Sequence, residues 1–171
     1  MANNPFFVFY KVCSENNIPV LSILQKTNGQ ALNLKGYLLN DVLCKAFLEA
    51  CRRFPHFISS ILLDNNGLRD KGVAMILEGC NSLKQIRKIA CRDNILHYDS
   101  FCQLKKILQE RITPQNHLRE LRLSNCRMSP SITADLLSVI LEESRLKKLT
   151  LSKTTMSNES VESLQLLIEK S

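Results

Sequence analysis

Tryptophan is absent from the chain and aromatic residues make up only 6% of it, four of them (Phe6, Phe7, Phe9 and Tyr10) crowded near the N-terminus. The aromatic platforms on which single-stranded nucleic acids stack are therefore scarce. Glycine and proline, five of each, are too few for a low-complexity or disordered segment. The seven cysteines are an odd number with no Cys-x-x-Cys pair and no histidine at zinc-ligand spacing, so reduced, buried thiols in a cytosolic protein are expected. No apolar run is long enough to span a bilayer. Phe6 to Val12 also lacks the basic start and small-residue cleavage site of a signal peptide, which again predicts a cytoplasmic location. Gly-x-Gly-x-x-Gly, the Walker loop, His-Glu-x-x-His and Gly-x-Ser-x-Gly are all missing. His56, His97 and His117 are isolated in or beside turns, and Cys13 has no partner to activate it. Neither catalysis nor a cofactor is expected.

What the chain does contain is one spacing, repeated. Ile58, Ile61, Leu63, Asn66, Leu68 and Gly72 occupy positions one, four, six, nine, eleven and fifteen of a unit. Ile86, Ile89, Cys91, Asn94, Leu96 and Ser100 fill the same frame, as do Leu118, Leu121, Leu123, Cys126, Met128 and Ile132. Leu146, Leu149, Leu151, Thr154, Met156 and Ser160 make a further copy, and Leu32, Leu34, Tyr37 and Leu39 make one that starts at Gly29. Two apolar residues one apart face the same side of a short strand; a buried asparagine then turns the chain. This is the leucine-rich-repeat frame. One such unit cannot bury its own apolar side and must stack on copies of itself.

The starts near residues 29, 58, 86, 118 and 146 divide residues 29–171 into five repeats, each long enough for a helix on the return. Helical spacing predicts returns from Asp41 to about Arg52, from Asp70 to about Gly79 with Gly79 as a left-handed stop, from Asp99, from Pro130, and a last one carrying Val161, Leu164, Leu167 and Ile168. Glu110 to Asn116 lengthens the third return by a proline-containing loop. Residues 1–28 do not fit the frame. They read as a helical cap over the first repeat, with a second short helix from Pro19 through Leu24. The expected fold is an α/β solenoid, a right-handed horseshoe with parallel strands on its concave face, helices on its convex face and an N-terminal helical cap.

These repeats resemble the ribonuclease-inhibitor type of leucine-rich repeat. Tyr10-Lys11-Val12-Cys13, Asn17-Ile18-Pro19 and Ala31-Leu32-Asn33-Leu34-Lys35-Gly36-Tyr37 are similar to the lead-in of intracellular members of that class. Several of those are associated with cilia, including the leucine-rich-repeat subunit of the dynein regulatory complex. The resemblance implies a non-catalytic scaffold or adaptor within a larger assembly, with a ciliary axonemal complex as the specific expectation, and brings no catalytic residue with it.

Alternation along the strands places positions three, five and seven on the concave face. Its charged members are Lys35, Asp64, Lys88, Arg92, Glu120, Arg122 and Lys148, five basic and two acidic. With a net charge of +7, this favours a partner with an acidic surface, such as a glutamate-rich tubulin tail or an axonemal subunit. A second contact is expected at the C-terminal edge, where Leu149, Leu151, Leu164, Leu167 and Ile168 form an apolar border with no segment to cover it. Lys147, Lys148 and Lys153 shield that border in part. Two other functions remain open. A regulator of a small GTPase needs an arginine at a loop, for which Arg69, Arg92 and Arg127 are available. The basic charge also suits nucleic acid, against the shortage of aromatics and the absence of a recognition motif.

Overall fold

The structure, a computed structural model, describes residues 5–17, 31–56, 58–109, 118–143 and 145–169. The expected helix from Pro19 to Leu24, the loop from Glu110 to Asn116 and His117 lie outside the described residues. Helix α1 (Pro5–Glu15) comes first, and then strand and helix alternate: β1 (Ala31–Asn33), α2 (Asp41–Arg53), β2 (Ser60–Leu62), α3 (Asp70–Ser82), β3 (Lys88–Ala90), α4 (Tyr98–Gln109), β4 (Glu120–Arg122), α5 (Pro130–Glu143), β5 (Lys148–Thr150) and α6 (Asn158–Glu169). The strands form one five-stranded parallel sheet in chain order. A helix on every crossover of a parallel sheet gives the right-handed solenoid that the spacing predicts.

The register shows why the apolar spacing works. Leu32, Ile61, Ile89, Leu121 and Leu149 stand opposite one another across the sheet, and the first four are fully buried. Position six repeats the pattern with Leu34, Leu63, Cys91 and Leu123, all buried. Backbone bonds follow the same period. The N–H of position six donates to position five of the next repeat, as Leu34 to Leu62 and Leu123 to Thr150. The N–H of position eight donates to position seven, as Gly36 to Asp64 and Asn125 to Ser152.

Position eight carries a second requirement, which the apolar frame does not reveal. Gly36, Asn65, Asp93, Asn125 and Lys153 all have φ between +54° and +72°. Left-handed backbone costs an ordinary residue about 1–2 kcal/mol, and glycine, asparagine and aspartate the least. Lysine is the poor choice among the five. Lys153→Asn is expected to raise stability by about 0.5 kcal/mol, seen as an upward melting shift on the order of 1–2 °C; a downward shift would refute it.

Position nine supplies the cross-links. The Asn66 side-chain amide donates to the carbonyls of Leu63 (2.7 Å) and Leu34 (2.9 Å), while its Oδ1 accepts from the N–H of Leu39 (3.3 Å). Asn94 repeats this one unit on, donating to the carbonyls of Cys91 and Leu63 and accepting from the Leu68 N–H. Each asparagine thus joins its own turn to the preceding repeat. Cys126 keeps one such bond, from Sγ to the Cys91 carbonyl (2.8 Å). Thr154 is too short to continue the series, and its hydroxyl is buried without a hydrogen-bond partner among the described residues.

The helices begin with different caps. The Asn40 side chain accepts from the Leu43 N–H at the start of α2, and Ser129 accepts from the Ile132 N–H in α5. Helix α4 is capped by the repeat before it. The Asp70 carboxylate accepts from the backbone N–H of His97 (2.7 Å), Asp99 (3.0 Å) and Ser100 (3.1 Å) and from the buried Ser100 hydroxyl. Partial burial alone would raise this carboxyl, but the hydrogen bonds from Ser100, His97 and Asp99 outweigh it and hold its pKa below the ordinary value. A lowered folded pKa gives stability that is complete above the unfolded value near pH 4 and is lost as acidification passes through the folded value. Asp70→Asn is therefore expected to cost about 1 kcal/mol at neutral pH, discounted for solvent exposure. It should also flatten the acid limb of a melting-temperature profile; an unchanged limb would exclude this role.

Two expectations about the helices are corrected. Helix α3 does not stop at Gly79 but continues to Ser82, with Leu83 as an extended cap. Gly79 is glycine for another reason: a Cβ there would sit 2.8 Å from the Phe47 ring. In α6, Val161 is exposed and does not pack inward with the rest of the apolar spacing. The first helix joins the array through Phe9, whose ring centroid lies 6.5 Å from that of the buried Phe47.

Candidate protein-binding faces

The strand register places the charged concave residues in two groups. Glu120 stands directly opposite Lys88 on β3 and Lys148 on β5. It pairs with Lys88 at 3.2 Å and Lys148 at 4.0 Å, and Arg122, two residues along the same face of β4, forks onto it. Loss of water around Glu120 would raise its carboxyl, but hydrogen bonds from Lys88 and Arg122, with their charges, prevail and lower the pKa. Arg92 forms the second group. Its backbone N–H donates to Asp64 (3.0 Å), and its guanidinium lies near Asp64 (3.8 Å) and Asp93 (3.5 Å). Lys35, at the β1 end of the sheet, is exposed and joins neither group.

These ion pairs lie at a surface where each contributes about 0–1 kcal/mol. Their interest is what they leave outward. Arg92, Arg122 and Lys148 remain about 40–60% exposed and line one depression of about 330 Å³ with Asp64, Ser124 and Thr150. The remaining arginines considered above do not converge there: Arg127 lines a different depression with Asp93 and Asn125, and Arg69 lies at the start of α3.

The C-terminal edge has its own geometry. Leu149 and Leu151 are half-buried, whereas their counterparts Leu121 and Leu123 are fully covered. Together with Leu164, Leu167 and Ile168 they line a groove of about 410 Å³, beside Lys147 and Lys148. Ile168 is 73% exposed. The apolar border is thus assembled by β5 and α6, and two of the three lysines expected to shield it do flank it.

Most of the buried thiols are raised, while the hydrogen bond between Cys126 and Cys91 lowers that of Cys126. Among the seven, only Cys102 is not fully buried, and none is in a disulfide. Burial, aided by the Asp41 charge, pushes the Cys44 thiol up to about 12; burial likewise raises Cys51. Cys91 is raised by its hydrogen bond with Cys126 and by burial. Such thiols stay protonated and inert. Among the described residues no histidine, cysteine or acidic cluster suits a metal ion, and no helix is long and apolar enough to cross a membrane.

Tandem strand-helix units, one parallel sheet and an asparagine series joining successive turns define a leucine-rich-repeat solenoid. No family model matches the sequence, and no curated protein matches it. Among solved structures the chain is similar to the leiomodin-1 actin-binding site 2, with a TM-score of 0.61 and 16% identity over 95% of this chain and 86% of that one. At this identity the likeness shows the fold.

Proposed function

We propose that this chain is a non-catalytic scaffold that binds an acidic protein surface on its concave sheet and is held in a larger cytoplasmic assembly. The observation that carries this reading is the convergence of Arg92, Arg122 and Lys148, from three successive repeats, on one water-facing depression. A rigid strand array fixes their spacing before any partner arrives, which lowers the ordering cost of binding. In this reading residues 1–28 form a cap and residues 29–171 the five repeats.

A glutamate-rich tubulin tail within a ciliary axoneme is the specific partner, supported by the charge of the face and by the lead-in sequence. Actin is a second candidate, because a solved structure with this fold is named as an actin-binding site. Regulation of a GTPase is the weaker alternative, since Arg92 and Arg127 line separate depressions. Co-sedimentation with microtubules and with actin filaments, repeated after subtilisin removes the tubulin tails, separates these readings. Tail-dependent binding that weakens in Lys148→Glu supports the first. Binding to actin alone replaces the partner, and stimulation of GTP hydrolysis by a small GTPase would overturn the scaffold reading.

The half-buried Leu149 and Leu151 favour a second contact at the C-terminal edge. Light scattering across concentration, with the intact chain and with Leu164 and Leu167 changed to serine, tests this. Self-association of the intact chain alone places an interface there.

A further inference from the structure

The concave depression has a more particular chemistry than a basic surface. Its lining combines two guanidinium groups, one ammonium and two hydroxyls, from Arg92, Arg122, Lys148, Ser124 and Thr150, against the single carboxylate of Asp64. Glu120 lies alongside, but Lys88 on its far side supplies a matching charge. Asp93 also lies against Arg92, so these three cations and Lys88 face Asp64, Asp93 and Glu120 and leave an excess of one positive charge. A carboxylate ligand would cancel that charge but offers only two oxygens to the five donor groups of the lining. A phosphoryl group carries about −1.5 to −2 at neutral pH, with three terminal oxygens as strong acceptors.

Placement agrees with charge. Arg122 stands opposite Thr150 in the β4–β5 register, so a cation and a hydroxyl face the same spot from adjacent strands. Arg92 follows β3 and Ser124 follows β4 at the equivalent position seven, giving the same cation–hydroxyl pairing one step along. The Arg92 contacts to Asp64 and Asp93 are both long, at 3.8 and 3.5 Å, so turning the guanidinium toward an incoming anion gives up little. At about 330 Å³ the depression is at the small end of ligand clefts, which run to about 1,000 Å³. It admits one anionic side chain and not a nucleotide.

We propose that this depression binds a phosphorylated serine or threonine side chain presented by the partner protein. The proposal rests on the concave face being the docking surface and makes docking depend on phosphorylation of the partner. Arginine forks and a lysine give charge-assisted bonds to the phosphoryl oxygens, and Ser124 and Thr150 donate to those that remain.

The test uses the full chain, immobilised, and three degenerate peptide pools that differ only in a fixed central residue: phosphoserine, aspartate or serine. Retention of the phosphoserine pool at least about tenfold above the aspartate pool is expected. Lys148→Ala combined with Thr150→Val should remove most of that preference, and so should Arg92→Gln, each with unchanged circular dichroism. Equal retention of the phosphoserine and aspartate pools overturns the phosphate proposal and leaves the acidic-partner reading standing. Retention of neither pool overturns both. A phosphoserine preference that survives all these variants places the phosphate elsewhere and overturns the proposal. Inorganic phosphate competing at an affinity equal to that of the retained peptides would assign the site to the free ion and overturn a partner-borne source.

Discussion

Asn66→Ala is expected to lower the unfolding free energy by about 3 kcal/mol, which is a large share of a domain's total. The substitution removes the amide that satisfies the Leu63 and Leu34 carbonyls and the oxygen that accepts from Leu39. All three partners lie in the interior between repeats, where an unpaired polar group costs about 1–3 kcal/mol. The exposed Asn16 caps only its own helix end, through the Val12 carbonyl. Asn16→Ala should therefore cost well under 1 kcal/mol. Urea unfolding of both variants decides the matter. A loss below about 1 kcal/mol for Asn66→Ala would mean that water satisfies those groups and that the asparagine series is not what joins the repeats.

Phe47→Ala should cost about 4 kcal/mol, in the range for a fully buried aromatic side chain. Phe47 fills the space between α2 and α3, meets Phe9 of α1, and leaves so little room that a Cβ on Gly79 would approach its ring to 2.8 Å. The pair makes a sharper expectation than either residue alone. With Phe47 present, Gly79→Ala gains about 1 kcal/mol of helix propensity but loses about 2 kcal/mol to overpacking, for a net loss. With Phe47 already alanine, the ring contacts are gone, only Cys51 Sγ at 3.3 Å remains close, and the same change should become stabilising. A double-mutant cycle reads the reversal of sign directly; additive effects would show that α3 shifts to accommodate the methyl.

Glycine at position 79 also marks where sequence reasoning reaches its limit. Near a helix end a glycine reads as a stop, and nothing local distinguishes that from a glycine kept small by an aromatic ring on the neighbouring helix. The repeats themselves were legible because their apolar period is imposed by stacking. Ile61, Ile89 and Leu121 have to recur wherever strands align. The left-handed turn was legible too, in the Gly36, Asn65, Asp93 and Asn125 series, but an apolar frame passes over it because these residues are polar or absent of side chain. Asp70 could not have been assigned from its own helix, since the N–H groups it accepts from belong to the next repeat. Alternation along the strands sets Lys88, Glu120 and Lys148 side by side, as the register has them. The division of the concave charges into a Glu120 group and an Arg92 group needed the register, and the exposure of Val161 needed the direction in which the last helix turns.

The position-nine series also bears on how the chain is made. Asn66 and Asn94 cross-link the first three strands, Cys126 contributes one weaker bond, and Thr154 contributes none. A ribosome adding about 5–20 residues per second reaches Thr154 roughly 3–12 s after Asn94, long compared with the folding time of most small domains. The best-joined repeats therefore have time to assemble while the rest is still being translated, and each later unit arrives at a finished surface on which to add. The order of bonding along the solenoid runs in the order of synthesis.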